Sequence, residues 1–380
     1  MTDAVQHTDR QRLADARRWV VKVGSALLTN DGRGLDASVV KMLADQLAVM
    51  RSRGCDVVLV SSGAIVAGLA RLHLAERPHE VHLSQAAAAV GQSALVRAYE
   101  EHLSPLGVTT AQILLSHADV RARDRYLNAR STLSTLLAMN VLPIVNENDT
   151  VVTDEIRLGD NDTLAALVAN LVDADVLLIL TDQDGLMDSD PRQSADAALI
   201  QTADVHDSSL DAIAGTGSAL GRGGMATKLS AARLAARSGT ATVIANGRRP
   251  DAITQVAGGA SMGTFLQTQR QPQSARKQWL ASLLHAQGSL VLDDGAVKGV
   301  SDQGRSLLPI GVVSVAGDFQ RGDLVSCLDS AGRERARGLV NYSSEEAKEL
   351  VGKASADIES VLGYRGEEEL IHRDNLVGSY

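Results

Sequence analysis

Aromatic side chains are nearly missing from this chain: two Trp, two Phe and five Tyr in 380 residues. Its cores must be filled by Ala, Val, Leu and Ile instead. Cysteine is as scarce. Cys55 and Cys327 cannot build a disulfide framework, and each lies in an apolar strand-like run where a buried free thiol is expected. No apolar run is long enough to cross a bilayer. The polar N-terminus, MTDAVQHTDRQRLADARR, lacks the apolar stretch of a secretory signal. A reducing cytoplasm and no membrane contact are expected. Positive charge is not in excess, since 37 Lys and Arg against 46 Asp and Glu leave a net charge of −9. That gives no general draw toward nucleic acid or anionic lipid, so any anion must be held by locally placed cations.

Two familiar signatures are missing as well. No P-loop pattern G-x-x-x-x-G-K-[ST] occurs. G-x-G-x-x-A occurs at Gly32–Ala37 and Gly221–Ala226, but neither follows the first strand as a dinucleotide fingerprint requires. The run HLAERPHEVH (73–82) holds three histidines, without a Cys partner or H-E-x-x-H spacing, and reads as a polar connector rather than a zinc site. No direct protein ligand to a metal is assigned.

What is present is an alternation. Short Val/Ile/Leu runs at 19–23, 56–61, 109–115, 141–145, 175–182 and 240–246 are separated by helical patterns at 36–53, 81–103, 119–139 and 225–238. Strands apolar on both faces, alternating with helices, predict an α/β fold: an open, mostly parallel sheet sandwiched by helices. In such sheets ligands bind beyond the carboxyl ends of the strands. The residues at those ends are GS, SSGA, NEND and TDQDGL, all small, polar or Gly-containing. At 380 residues a second core is also expected. The Gln-rich 267–277 reads as a linker between residues 19–266 and a small β-rich domain over 278–373, with 1–18 a polar extension and 374–380 a tail.

Lys22 stands inside the first apolar strand, which is costly unless its ammonium emerges at the strand end and meets an anion; the alternative is a lysine snorkelling at a sheet edge. Lys228 follows the Gly-rich turn GRGGMATK into an Ala-rich helix, where backbone N–H groups and the helix N-terminus can hold phosphate oxygens; alternatively it is an ordinary surface lysine. Asp149 is either a partner for a ligand's ammonium or a turn residue. Asp162 is either a site carboxylate or a helix N-cap.

Six stretches in order, VVKVGSALLT, VLVSSGAI, VLPIVNENDTV, GDNDTLAALVA, LLILTDQDGLMDSDPR and GRGGMATKLSAA, resemble the signatures of the amino acid kinase family, in its glutamate branch. The resemblance spans roughly 19–266, and LLPIGVVSVAGDFQRGD resembles a PUA domain. It implies ATP-dependent phosphorylation of the γ-carboxylate of L-glutamate, the first step of proline biosynthesis. It further implies Mg²⁺ as cofactor, feedback inhibition by proline and a homo-oligomer, dimer or tetramer. Carried over by position, Lys22, Lys228 and Asp162 are the catalytic group. Ser62, Gly63, Asn146, Asp149 and Asn161 are the glutamate-binding positions. Lys22, Gly24, Thr181, Asp182, Arg222, Gly223, Gly224, Met225, Ala226, Thr227 and Lys228 are the ATP-binding positions. Arg222 departs from the family, which usually has Thr there. The loop 150–158 is expected to close over the substrate and to take part in proline sensing.

The C-terminal region is acidic: residues 277–380 hold 11 Lys and Arg against 16 Asp and Glu. Nucleic-acid binding rests on phosphate neutralisation, so RNA is not the expected partner, and the basic run GRERARG (332–338) reads as a solvated strand or turn.

Overall fold

The apolar runs form one eight-stranded sheet: β1 (Arg18–Val23), β2 (Asp56–Ser61), β3 (Thr110–Leu115), β4 (Leu142–Glu147), β5 (Val176–Thr181), β6 (Thr202–Asp204), β7 (Ala241–Asn246) and β8 (Thr264–Gln267). This computed structural model describes residues 10–29, 34–74, 76, 78–152, 161–189, 196–214, 224–268, 286–301 and 303–378. Arg222 and Gly223, residues 153–158 of the expected closing loop and residues 269–277 of the expected linker lie outside them. The strand order is β3-β4-β2-β1-β5-β7-β8-β6, parallel except for the β7–β8 pair.

β4 and β5 are buried at every position, as parallel strands covered on both faces must be. β3 differs. Its sequence TAQILL is apolar, yet only Leu115 is buried, because an edge strand has one neighbour and less cover. The sheet's helices are α1 (Ala37–Ser52), α2 (Ala64–Arg71), α3 (Val81–Leu103), α5 (Asn161–Leu171) and α6 (Met225–Ala236), while α4 (Arg123–Ala138) groups with a second unit as far as Ser131. The pattern expected as one helix over 119–139 is divided: a short helix, His117–Arg121, precedes α4. Asp36 caps α1, accepting from the N–H groups of Ser38 and Val39.

Trp19, Leu47, Leu59, Leu95, Ile144 and Leu178 belong to the main core, each fully or almost fully buried. Burying each such side chain contributes about 1.5–3 kcal/mol. The polar N-terminal stretch joins this core from residue 10 onward. Leu13 is buried, and Arg10 donates to four backbone oxygens, those of Ala260, Met262, Gln201 and Gly263. Burial pushes the Arg10 pKa down, and the carbonyl fork keeps the guanidinium satisfied.

α2 and α3 cross with their backbones in contact. A Cβ on Gly68 would lie 1.7 Å from the Ala87 carbonyl oxygen, and one on Gly91 would lie 1.8 Å from that of Ala64. No side chain fits at either point.

By its contacts the chain divides into two units, 1–117 with 132–272, and 118–131 with 273–380. The second unit has a five-stranded sheet of β9 (Gly288–Leu292), β10 (Val312–Gly317), β11 (Leu324–Leu328), β12 (Glu334–Leu339) and β13 (Leu376–Gly378), ordered β10-β9-β11-β12-β13. Phe319, Tyr342 and Cys327 are buried in its core. The basic run is neutralised locally, with Arg333 and Arg335 on Asp329 and Arg337 on Glu334. The Arg333 backbone N–H, then the Arg335 and Arg333 side chains and the Ala331 N–H, hold the Asp329 carboxyl down to about 2 against the upward push of burial. A depressed carboxyl stabilises the fold above its unfolded value and loses that contribution as pH falls from about 4 toward 2. Carboxyl NMR of the whole chain should place the Asp329 midpoint near 2; a midpoint near 4 would show that the 329–335 turn is not closed in solution.

Candidate active site

The strand register sets where the polar ends meet. Val23 pairs with Ser61 on one side and Leu180 on the other, Glu147 pairs with Leu115, and Thr181 with Asn246. The strands therefore end at one level. Gly24, Ser62, Asn148 and Asp182 each follow at the carboxyl edge. β1 and β5 are neighbours, and the chain leaves β1 toward β2 but leaves β5 toward the β7-β8-β6 side, so a switch point, where such sheets bind ligands, lies between them.

Lys22 is on a central strand, which removes the sheet-edge alternative. It is 5% exposed, and its Nζ lies 2.5 Å from Asp162 Oδ1. Lys228, also 5% exposed, places its Nζ 3.1 Å from the other oxygen, Oδ2. Asp162 is wholly buried in the first turn of α5, and its carboxylate is turned to the lysines. Burial alone would raise its pKa, but the two ammoniums and their hydrogen bonds outweigh that and leave it below the ordinary range. Two buried cations thus share this one buried anion, an arrangement suited to holding an anionic ligand.

Beside this group runs a chain of amides. The backbone N–H of Glu147 donates to Asn146 Oδ1 at 2.9 Å, and Asn161 Nδ2 donates to the same oxygen at 2.9 Å. Asn161 Nδ2 also donates to Ser62 Oγ at 2.8 Å. Asn146 Nδ2 in turn donates to Gln92 Oε1 at 2.7 Å. Gly63 has φ 104°, a left-handed conformation that favours glycine, and it starts α2 without a side-chain cap. Among the described residues no side chain caps the first N–H groups of α2, which leaves them available to an anion. Asp149 is half-buried within a turn that Val151 N–H closes on the Asn148 oxygen at 3.2 Å.

On the other side, Thr181 ends β5 and donates to Asp182 Oδ1 at 3.1 Å. Gly24 lies where a Cβ would sit 3.6 Å from Lys22 Nζ, so glycine keeps the space over that ammonium open. Gly224 begins α6 with no side-chain cap among the described residues, and Thr227 Oγ donates back to its carbonyl at 2.7 Å. Met225 and Ala226 form the first turn of α6, half-buried.

Comparison with known proteins agrees with this layout. The amino acid kinase family matches residues 17–246, and the PUA domain matches residues 288–362. A glutamate 5-kinase of Saccharophagus degradans is 58% identical over 97% of this chain and 99% of its own. One from Chromohalobacter salexigens is 57% identical over 98% of each chain, and one from Hahella chejuensis is 59% identical over 97% of this chain and 96% of its own. The chain belongs to the amino acid kinase family, among its glutamate 5-kinases.

Of the site positions carried into this kinase by resemblance, the structure brings Lys22, Asp162 and Lys228 into direct contact, and likewise Ser62, Asn146 and Asn161. Among the described residues no three His, Cys, Asp or Glu side chains are grouped as a metal site. Two features of the kinase site escaped the sequence. Gln92 ends the amide chain from within α3, and Asp184 accepts from Arg249 at 2.7 Å and Asn246 at 2.9 Å beyond the β5 and β7 ends. Asp184 is visible in TDQDGL as a second strand-end carboxylate. Gln92 gives no such signal, being one polar residue in an Ala-rich helix.

Proposed function

We propose that this enzyme transfers the γ-phosphoryl group of ATP to the γ-carboxylate of L-glutamate, giving L-glutamyl 5-phosphate for proline synthesis. The observation that carries this reading is the buried Lys22–Asp162–Lys228 group, beside the chain of amides and a helix N-terminus that no described side chain caps. A carboxylate oxygen of the substrate attacks the γ-phosphorus, and the bond to the ADP oxygen breaks. No side-chain nucleophile takes part. Charge spreads over the transferred group, and the two ammoniums hold it from the enzyme side. At about 4 Å and an effective dielectric of 20, each such contact is worth roughly 4 kcal/mol before desolvation. Asp162 anchors and aims both lysines. The first N–H groups of α2, beside Ser62 and Gly63, receive the γ-carboxylate, while Asp149 and Asn161 take the α-ammonium. Thr181, Asp182 and residues 224–228 bind the nucleotide, with Arg222 and Gly223 beside them in sequence. Mg²⁺ suits this arrangement as an ion carried on ATP's own phosphate oxygens, since it keeps most of its waters and few protein ligands.

Glutamate-dependent ADP release tests the reading, run beside N-acetylglutamate and aspartate. A preference for either of those would overturn it. Adding proline to the same assay tests the expected feedback inhibition. We further place the enzyme in the cytoplasm as a homo-oligomer, dimer or tetramer; two free cysteines, and no helix among the described residues able to cross a membrane, support that setting. Asp149→Ala should raise the glutamate KM roughly 10- to 100-fold, the worth of a charge-assisted hydrogen bond, and change kcat little. An unchanged KM would displace Asp149 from ammonium recognition.

A further inference from the structure

The amide chain has a direction, and one backbone group sets it. A backbone N–H can only donate, so the Glu147 N–H makes Oδ1 the atom that Asn146 turns toward it. The Asn146 Nδ2 must then point the other way, to Gln92 Oε1. On the near side, Asn161 has to present its Nδ2 to Asn146 and to Ser62, which turns Asn161 Oδ1 outward; among the described residues nothing donates to it. Three amides are thus locked in one sense, with an acceptor at one end and Gln92 at the other.

Gln92 gains little for itself from this. It is 7% exposed, and its Nε2 is buried with no hydrogen-bond partner among the described residues. Buried donors are nearly always satisfied, and the exceptions concentrate where function fixes a geometry. A glutamine kept only for packing would settle with both ends bonded.

The packing of α3 delivers Gln92 to this position. Its neighbour Gly91 lets the α3 backbone touch Ala64, the first residue of α2, just beyond Ser62 and Gly63. Two turns earlier on α3, Gln85 Nε2 donates to the Val152 oxygen at 3.3 Å. The two glutamines therefore hold the chain at 146 and at 152, on either side of Asp149.

We propose that Gln92, by accepting from Asn146 Nδ2, anchors the amide whose sense the Glu147 N–H sets, and so keeps Asn161 Oδ1 presented to the α-ammonium of the substrate. Gln92 is then a positioning residue for amino-acid recognition, one layer behind the groups that touch glutamate. The inference rests on the glutamate reading given above.

The test compares Gln92→Met, which keeps the volume and removes the acceptor, with Gln92→Glu, which keeps an acceptor oxygen. Steady-state ADP release is measured with glutamate and with glutarate, which lacks the ammonium, alongside thermal unfolding. Q92M should raise the glutamate KM about ten-fold or more, with the ATP KM within about two-fold of wild type and Tm nearly unchanged. Turnover of glutarate should not fall below the wild-type rate. Q92E should bring the glutamate KM back to within about three-fold of wild type. An unchanged glutamate KM in Q92M, an equal loss on glutarate, or equal damage in Q92E would each overturn the assignment while wild-type kinase activity stands. A wild type that makes no glutamate-dependent ADP overturns the functional reading itself, and the role of Gln92 with it.

Discussion

Lys22→Ala and Lys228→Ala should each lower kcat by roughly 10²- to 10³-fold, about 2.7–4 kcal/mol of transition-state stabilisation, and leave the glutamate KM within a few-fold. The expectation follows from where the charges sit. Each lysine is 5% exposed, and its ammonium is anchored on one oxygen of a wholly buried carboxylate. Water cannot replace either cation cheaply, and its contact with phosphate is worth most when charge spreads across the transferring group. Removing one lysine also changes Asp162. Of its two lysine partners the carboxylate would keep one. The two losses should therefore be less than additive in the double variant, because both lysines serve one group and share one anchor. Lys22→Arg should not rescue, since a planar guanidinium does not reproduce a point charge beside the space that Gly24 leaves open. Single variants within about five-fold of wild-type kcat would remove the lysines from the chemistry.

Much of this site is legible in the order of residues alone, for a physical reason. Parallel strands are apolar on both faces, so their runs are plain in sequence, and the ligand-binding edge is wherever those runs stop. VVKVGS, VLVSSGA, VLPIVNEND and LLILTDQD mark that edge directly. The partnership of Lys22, Asp162 and Lys228 is not legible from spacing. These residues lie far apart in the chain, and only the order β2-β1-β5, with α5 and α6 starting at the carboxyl edge, brings them together. The resemblance to a family supplies that grouping. Gln92 is out of reach both ways, because a polar residue in an Ala-rich helix looks like a solvent-facing one. Arg10 misleads similarly: in a polar N-terminal stretch it reads as exposed, yet four carbonyls enclose it. Both cases depend on close backbone approach, which periodicity does not report.

That close approach gives the second large effect, this time on folding. Gly91→Ala should destabilise the enzyme by about 3 kcal/mol or more, lowering Tm by roughly 6–12 °C. The added methyl would lie 1.8 Å from the Ala64 oxygen and 2.4 Å from the Gly68 nitrogen, both backbone atoms that no side-chain rotation can move. Gly68→Ala should behave alike, its methyl meeting the Ala87 oxygen at 1.7 Å. Neither glycine has a positive φ, so the penalty comes from contact and not from backbone conformation. Relief requires α2 and α3 to separate, which carries Ser62–Ala64 away from Asn161 and Gln92 away from Asn146. The glutamate KM should therefore rise in whatever fraction folds, with the ATP KM less affected. Gly299→Ala is the control. It is also a helical glycine, in Asp294–Ser301, but nothing lies within 4 Å of its added methyl. By helix propensity that change should be neutral or stabilising by up to about 1 kcal/mol. Thermal unfolding of the three variants side by side decides the matter. If Gly91→Ala and Gly68→Ala melt within a degree or two of Gly299→Ala, the helices do not meet backbone to backbone, and the placement of Gln92 beside Asn146 loses its support.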